Sequence, residues 1–152
     1  MAVTIVPDAN LLLYAYDSES PFHQTARTWL EGCLSGPEPV GFTHPTLFAF
    51  LRLGTNPRVY AKPMTLTEAA GHINSWLARA GAKVLQPPVD HLQQAVALLE
   101  KAGGTGANLV TDAQIAATAL FYRGIVHTAD RDFLRFDEVR CHFPLEGASK
   151  RR

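Results

Sequence analysis

The sequence predicts an α/β domain with a mainly parallel central sheet, and three observations carry that prediction. Short apolar or β-branched runs at 3–6, 40–43, 83–85, 125–128 and 139–141 are interleaved with segments of helical patterning, and strands that alternate with helices pair in parallel through crossovers. The chain has 152 residues, 47% of them hydrophobic, which suits one domain with a sizeable core and no structural metal or disulfide. Its charged fraction is 18%, below the roughly 25% of an average soluble domain, and a chain this apolar is not globally disordered.

The elements follow in order. The run at 3–6 reads as a buried strand that stops at Pro7-Asp8, with a helix opening behind it on Leu11, Leu12, Tyr14 and Ala15. Ser20-Pro21 reads as the start of a second helix, with proline at its first position. Phe22, Ala26, Trp29, Leu30 and Cys33 recur at helical spacing, and the Gly-Pro-rich stretch 35–39 ends the helix. A strand at 40–43 precedes a mostly apolar helix at 45–54, stopped by Thr55-Asn56-Pro57. Thr65-Leu66-Thr67-Glu68 opens a helix to about Ala80, with Ile73, Trp76 and Leu77 as its stripe. The strand 83–85 is closed by Pro87-Pro88, and 90–102 is a helix. Thr111 reads as the N-cap of the next helix, which runs to Arg123 with Gly124 as its C′ residue. The strand 125–128, a turn or short helix at 130–133 and an edge strand at 139–141 complete the chain. Trp29 and Trp76 read as core or dimer interface.

Composition removes several function classes. Fourteen Lys and Arg balance fourteen Asp and Glu, so no general basic field holds nucleic acid. Cys33 and Cys141 fit no metal or redox spacing and read as thiols in a reducing compartment. The N-terminus lacks a basic n-region and no apolar run approaches the ~18 residues of a membrane span, so the expectation is a cytoplasmic protein without membrane contact. Gly103-Gly104-Thr105-Gly106 lacks the GxxxxGK[ST] pattern and reads as a linker or mobile cleft edge rather than a P-loop. The six histidines show no HxxxH spacing, and His44 and His127 read as packing residues.

The chemistry gathers on aspartates. Asp8 ends the first strand, Asp112 lies in the first turn of the predicted 111–123 helix, and Asp130 and Asp132 follow a later strand. Open α/β sheets bind ligands outside the carboxyl ends of their strands, so the topology can assemble these carboxylates. Gathered carboxylates repel unless one is protonated or a cation sits among them. Mg²⁺ and Mn²⁺ suit such oxygen ligands. Taken singly, each Asp also reads as a cap or turn residue.

Three segments then resemble the acidic motifs of PIN-domain ribonucleases: Pro7-Asp8-Ala9-Asn10-Leu11-Leu12, Val110-Thr111-Asp112-Ala113-Gln114-Ile115-Ala116-Ala117, and His127-Thr128-Ala129-Asp130-Arg131-Asp132-Phe133. Their order, their spacing and the chain length resemble the VapC branch of toxin–antitoxin pairs, and the likeness spans nearly the whole chain. It implies a PIN-like three-layer α/β/α fold over residues 1–148, followed by a short basic tail at 149–152. It also implies a Mg²⁺- or Mn²⁺-dependent endoribonuclease, a cognate VapB-type antitoxin and a homodimer. By the same resemblance Asp8, Asp112 and Asp130 are the metal and catalytic carboxylates, with Asp132 as a further ligand.

Around them, Asn10 is placed to hydrogen-bond a metal water or carboxylate, and Thr111 and Thr128 offer supporting hydroxyls. The acid-free segment 39–67 carries Arg52, Arg58 and Lys62; Arg52 and Arg58 are the candidate RNA contacts, since guanidinium matches phosphate. Net neutrality is then the sum of an acidic pocket and a basic segment. One departure stands out. Many family members carry Glu on the helix at 45–54, whereas here no acid lies between Glu38 and Glu68, and the equivalent positions near 47–49 are apolar. That leaves a second reading, a PIN-fold module that binds RNA or antitoxin with weak or no catalysis. A haloacid-dehalogenase-like phosphotransferase would want Asp where Asn10 stands. A receiver domain would want a late Lys, and none lies between Lys101 and Lys150.

Overall fold

The computed structural model describes residues 2–103 and 107–146; the glycine run at 104–106 and the basic tail at 149–152 lie outside them. The strands are β1 Ile5–Pro7, β2 Val40–Phe42, β3 Ala82–Val84, β4 Ile125–His127 and β5 Cys141–His142. The helices are α1 Ala9–Tyr14, α2 His23–Ser35, α3 His44–Gly54, α4 Leu66–Leu77, α5 His91–Ala102 and α6 Ala107–Phe121, with a 3₁₀ turn at Arg131–Arg135.

All five strands are parallel, in the order β3-β2-β1-β4-β5. The chain builds outward from β1 through β2 to β3, then returns to place β4 on the other side of β1. The strand order therefore reverses between β1 and β4, where an open α/β sheet leaves a crevice at its carboxyl edge.

A parallel sheet needs both faces covered, and the alternation of β1 divides the core accordingly. Ile5 packs with Leu12, Leu13, Phe42, Phe50 and Trp76 under α1 to α4. Val6 packs with Ala113, Ala116, Val126 and Phe133 under α5 and α6. Trp76 is the largest fully buried side chain among the described residues; it stacks on Phe42 with centroids 5.3 Å apart and meets Phe50 edge-on at 4.9 Å. Thr65 and Glu68 form the reciprocal capping box that starts α4.

The structure corrects several boundaries. The second helix starts at His23, because Ser20 folds a tight turn instead: its hydroxyl accepts the Phe22 N–H at 3.0 Å and its carbonyl the His23 N–H at 3.1 Å. The fourth helix ends at Leu77, short of Ala80. Thr111 is not an N-cap; α6 begins at Ala107, so Thr111 and Asp112 stand in its second turn. Gly124 is not the left-handed residue either. Arg123 takes that conformation at φ 56°, and Gly124 is required by space: a Cβ there would lie 2.8 Å from the Thr4 carbonyl and 2.9 Å from Val6 Cγ2. β5 lies at Cys141–His142 rather than 139–141.

Candidate active site

Asp8 leaves β1 as the N-cap of α1 and is 7% exposed. Its Oδ1 accepts the Ala9 N–H at 2.8 Å, and its Oδ2 accepts the Thr128 hydroxyl at 2.7 Å. Its own N–H donates to the His127 carbonyl at 2.9 Å, so the ends of β1 and β4 are stitched together. The fully buried Thr128 Oγ1 accepts the Asp130 N–H at 2.9 Å, and Asp130 Oδ1 accepts the Asp132 N–H at 2.9 Å. Hydrogen bonds thus order Asp8, Thr128, Asp130 and Asp132 as one chain. Thr46 Oγ1, also fully buried, donates to the Pro7 carbonyl at 3.2 Å and fixes the start of α3 against β1.

Asp112 arrives from α6, on the other side of the sheet. Asp112, Asp130 and Asp132 each offer a carboxylate oxygen within 4.8 Å of the others. Asp8 stands outside that trio, yet its charge acts on Asp112. Burial first, and then the charges of Asp8, Asp130 and Asp132, push Asp112 up to about 7. Burial likewise raises Asp8, with Asp130 adding to the effect, although the Thr128 and Ala9 hydrogen bonds pull the other way. Asp112 Oδ2 is buried with no hydrogen-bond partner. A buried carboxylate oxygen without a donor costs free energy, and a cation relieves both that cost and the repulsion. The donor set, carboxylate oxygens only, fits a hard divalent ion such as Mg²⁺ or Mn²⁺.

The other candidate residues are placed as follows. Asn10 is half-buried in the first turn of α1, two residues beyond Asp8, and Thr111 is half-buried beside Asp112. Arg52 and Thr111 line one groove of about 590 Å³ between α3 and α6, with Phe48, Ala49 and Gln114. The apolar stretch of α3 that departs from the family pattern therefore borders this groove. Arg58 is exposed in the turn after α3. It lies three residues beyond Thr55, which lines the same groove as Arg52 and Thr111, and it does not itself line that groove.

Two supporting residues escaped the sequence reading. Thr46 had no signal beyond its spacing from the cap Thr43. His127 reads as packing, and it is half-buried, but its carbonyl also holds Asp8 in place. Burial and the neighbouring His142 push its imidazole down to about 4, so it is neutral near pH 7.

Comparison with known proteins agrees with this architecture. The PIN domain family model matches residues 5–139. Ribonuclease VapC33 of Mycobacterium tuberculosis is 38% identical over 141 residues, covering 93% of this chain and 98% of its own. Ribonuclease VapC37 of the same species is 40% identical over 139 residues, covering 91% and 96%. Among solved structures, M. tuberculosis VapC20, described as a sarcin-ricin loop cleaving toxin, superposes with a TM-score of 0.65 at 22% identity, covering 90% of this chain and 98% of that one. VapBC2 from Rickettsia felis, bound to a promoter DNA fragment, gives 0.66 at 16% identity, covering 91% and 97%. These two share the fold. With a parallel sheet whose order reverses at β1, aspartates gathered at that point, a family model spanning most of the sequence and VapC relatives at up to 40% identity, the chain belongs to the PIN-domain family, in its VapC branch.

Proposed function

We propose that this chain is a VapC-type endoribonuclease that hydrolyses RNA phosphodiester bonds with a Mg²⁺ or Mn²⁺ ion held by Asp8, Asp112, Asp130 and Asp132. We infer further that it acts in the cytoplasm as a homodimer and is neutralised by a cognate VapB-type antitoxin. The observation that carries the reading is the unpartnered, buried Asp112 oxygen in a pocket with Asp130 and Asp132. The family membership supports it, because relatives at 38% and 40% identity are named ribonucleases. No helix among the described residues is long and apolar enough to cross a membrane.

Phosphodiester hydrolysis needs an activated water and relief of charge on the phosphoryl oxygens, and a bound divalent ion supplies both. The residues of the chain do the rest. Asp8 is held in one orientation by the Ala9 N–H and the Thr128 hydroxyl. Thr128 ties that orientation to Asp130, so the two carboxylates keep a fixed separation. Asp112, pushed up to about 7 by burial and its carboxylate neighbours, holds its proton far more tightly than a free carboxyl, and positive charge in the pocket would favour its ionised form. Arg52 lines the groove that Thr111, the neighbour of Asp112 in sequence, also lines, and its planar fork suits an RNA phosphate.

The test compares cleavage of total RNA by wild type and Asp8→Ala with Mg²⁺, with Mn²⁺ and with chelator, alongside toxicity on expression. Metal-dependent cleavage lost in Asp8→Ala is the expected result; equal cleavage by both proteins, or cleavage indifferent to chelator, sinks the proposal. The acid-free α3, which puts Phe48 and Ala49 on the groove, favours a second reading, a binding module with little catalysis. Tight RNA or antitoxin binding without metal-dependent turnover would select it.

A further inference from the structure

Three rings stand in a row across the carboxyl end of the sheet, and the hydrolytic chemistry uses none of them. Trp29 of α2 is half-buried; its indole N–H donates to His127 Nδ1 at 3.0 Å, with ring centroids 6.1 Å apart. That bond makes Nδ1 an acceptor and leaves the imidazole proton on Nε2. His127 in turn meets His142 edge to face, centroids 4.8 Å apart at 63°. The two histidines are register partners on β4 and β5, so they lie on one face of the sheet. β5 is its outer strand and His142 is exposed. The row starts in the packed contact of α2 and ends on an open ring.

Packing accounts for Trp29 and His127, which are half-buried, but not for the outer ring. Its position is tied to the acidic pocket: the Thr128 N–H donates to the His142 carbonyl at 3.0 Å, and Thr128 is the residue that orients Asp8. A cation is anchored on the residue that follows His142. Arg131, next to Asp130, lays its guanidinium 4.6 Å over the ring of Phe143, the residue after His142, with Nη2 3.4 Å from Glu146. An exposed flat ring at the end of such a row matches an unpaired base, because proteins that read single-stranded RNA stack splayed bases on aromatic and His planes.

We propose that His142, backed by His127 and Trp29, is a stacking platform for one unpaired nucleobase of an RNA strand lying across the aspartate pocket. The inference rests on the ribonuclease reading for its substrate class, but its test is independent of cleavage. A single-stranded oligoribonucleotide carrying one 2-aminopurine is titrated with protein in Ca²⁺, and strand integrity is checked after each titration. The series moves the 2-aminopurine along the strand. Wild type should quench the fluorophore at one position. His142→Phe should bind within about twofold of wild type and keep the quench. His142→Ala should bind about fivefold or more weakly and lose it, as removal of a base-stacking side chain does. Equal quench and affinity in His142→Ala, failure of His142→Phe alongside it, or no quench by wild type at any position would overturn the platform. A wild type that quenches the fluorophore but cuts no RNA with Mg²⁺ or Mn²⁺ would overturn the nuclease reading and leave the platform standing.

Discussion

Replacing Asp112 with Asn should stabilise the ion-free protein at pH 8 while abolishing metal-dependent cleavage. Asp112 is an acid whose pKa rises from 3.8 in the unfolded chain to about 7 in the fold. The fold therefore holds its proton more tightly, and the associated stability is complete below about pH 4 and lost as pH climbs through 7. The gap is about three decades of proton affinity, which at about 1.4 kcal/mol per decade sets a ceiling of about 4 kcal/mol at pH 8. Asp8 is also raised and contributes with the same sign. An amide in place of the carboxyl cannot ionise, so Asp112→Asn removes the Asp112 share and eases the repulsion on Asp8. Urea unfolding in chelator at pH 5 and pH 8 measures it. The variant should gain about 2–3 kcal/mol over wild type on going from pH 5 to pH 8. Divalent ions should raise the wild-type midpoint and not that of the variant. A stability difference between variant and wild type that is the same at both pH values would refute the reasoning, because it would mean that the carboxylate charge is not what strains the pocket.

Three further outcomes follow from contacts described above. Thr128→Val leaves Asp8 Oδ2 and the Asp130 N–H without their shared partner; it should cost about 1–3 kcal/mol and lower kcat more than it raises KM, read by thermal unfolding and steady-state cleavage. Gly124→Ala forces a Cβ to within 2.8 Å of the Thr4 carbonyl and 2.9 Å of Val6; the overpacking should cost about 1–3 kcal/mol, seen as a lower Tm with the relative ion response unchanged. Arg52→Ala should flatten the salt dependence of single-stranded RNA binding by about 0.7 in log–log slope, whereas Arg58→Ala, which does not line that groove, should change the slope less.

Local signals in the sequence served well where one segment decides its own conformation. The five strands lie within a few residues of their expected positions, and the Thr65–Glu68 capping box starts α4 as the motif requires. The errors came where a neighbour in space decides. Ser20-Pro21 carries the residues of a helix start but commits the serine hydroxyl to the Phe22 N–H. Thr111 has the chemistry of a cap, yet the apolar residues before it continue the helix upstream to Ala107. Gly124 looks like a helix terminator; its missing side chain instead makes room for the Thr4 carbonyl and Val6, at the opposite end of the sequence. The aspartates were legible because they recur after strands and beside a helix. The Thr46–Pro7 and Trp29–His127 bonds span 39 and 98 residues, and no spacing rule foretells pairs so distant.

The partition of the core by the two faces of β1 has a consequence for when the pocket exists at all. Asp8 rides on the helix that opens the Ile5 side, and Asp112 on a helix of the Val6 side. A chain with only the Val6 layer docked has Asp112 beside Asp130 and Asp132 but lacks the Asp8 charge that the Ile5 side brings. On the proposed metal site, an ion favours the docked Val6 layer through Asp112, Asp130 and Asp132, and Asp8 adds its charge only once the Ile5 layer has closed as well. The proposed hydrolytic site, with all four carboxylates, is therefore complete only in a chain that has closed both layers on the sheet.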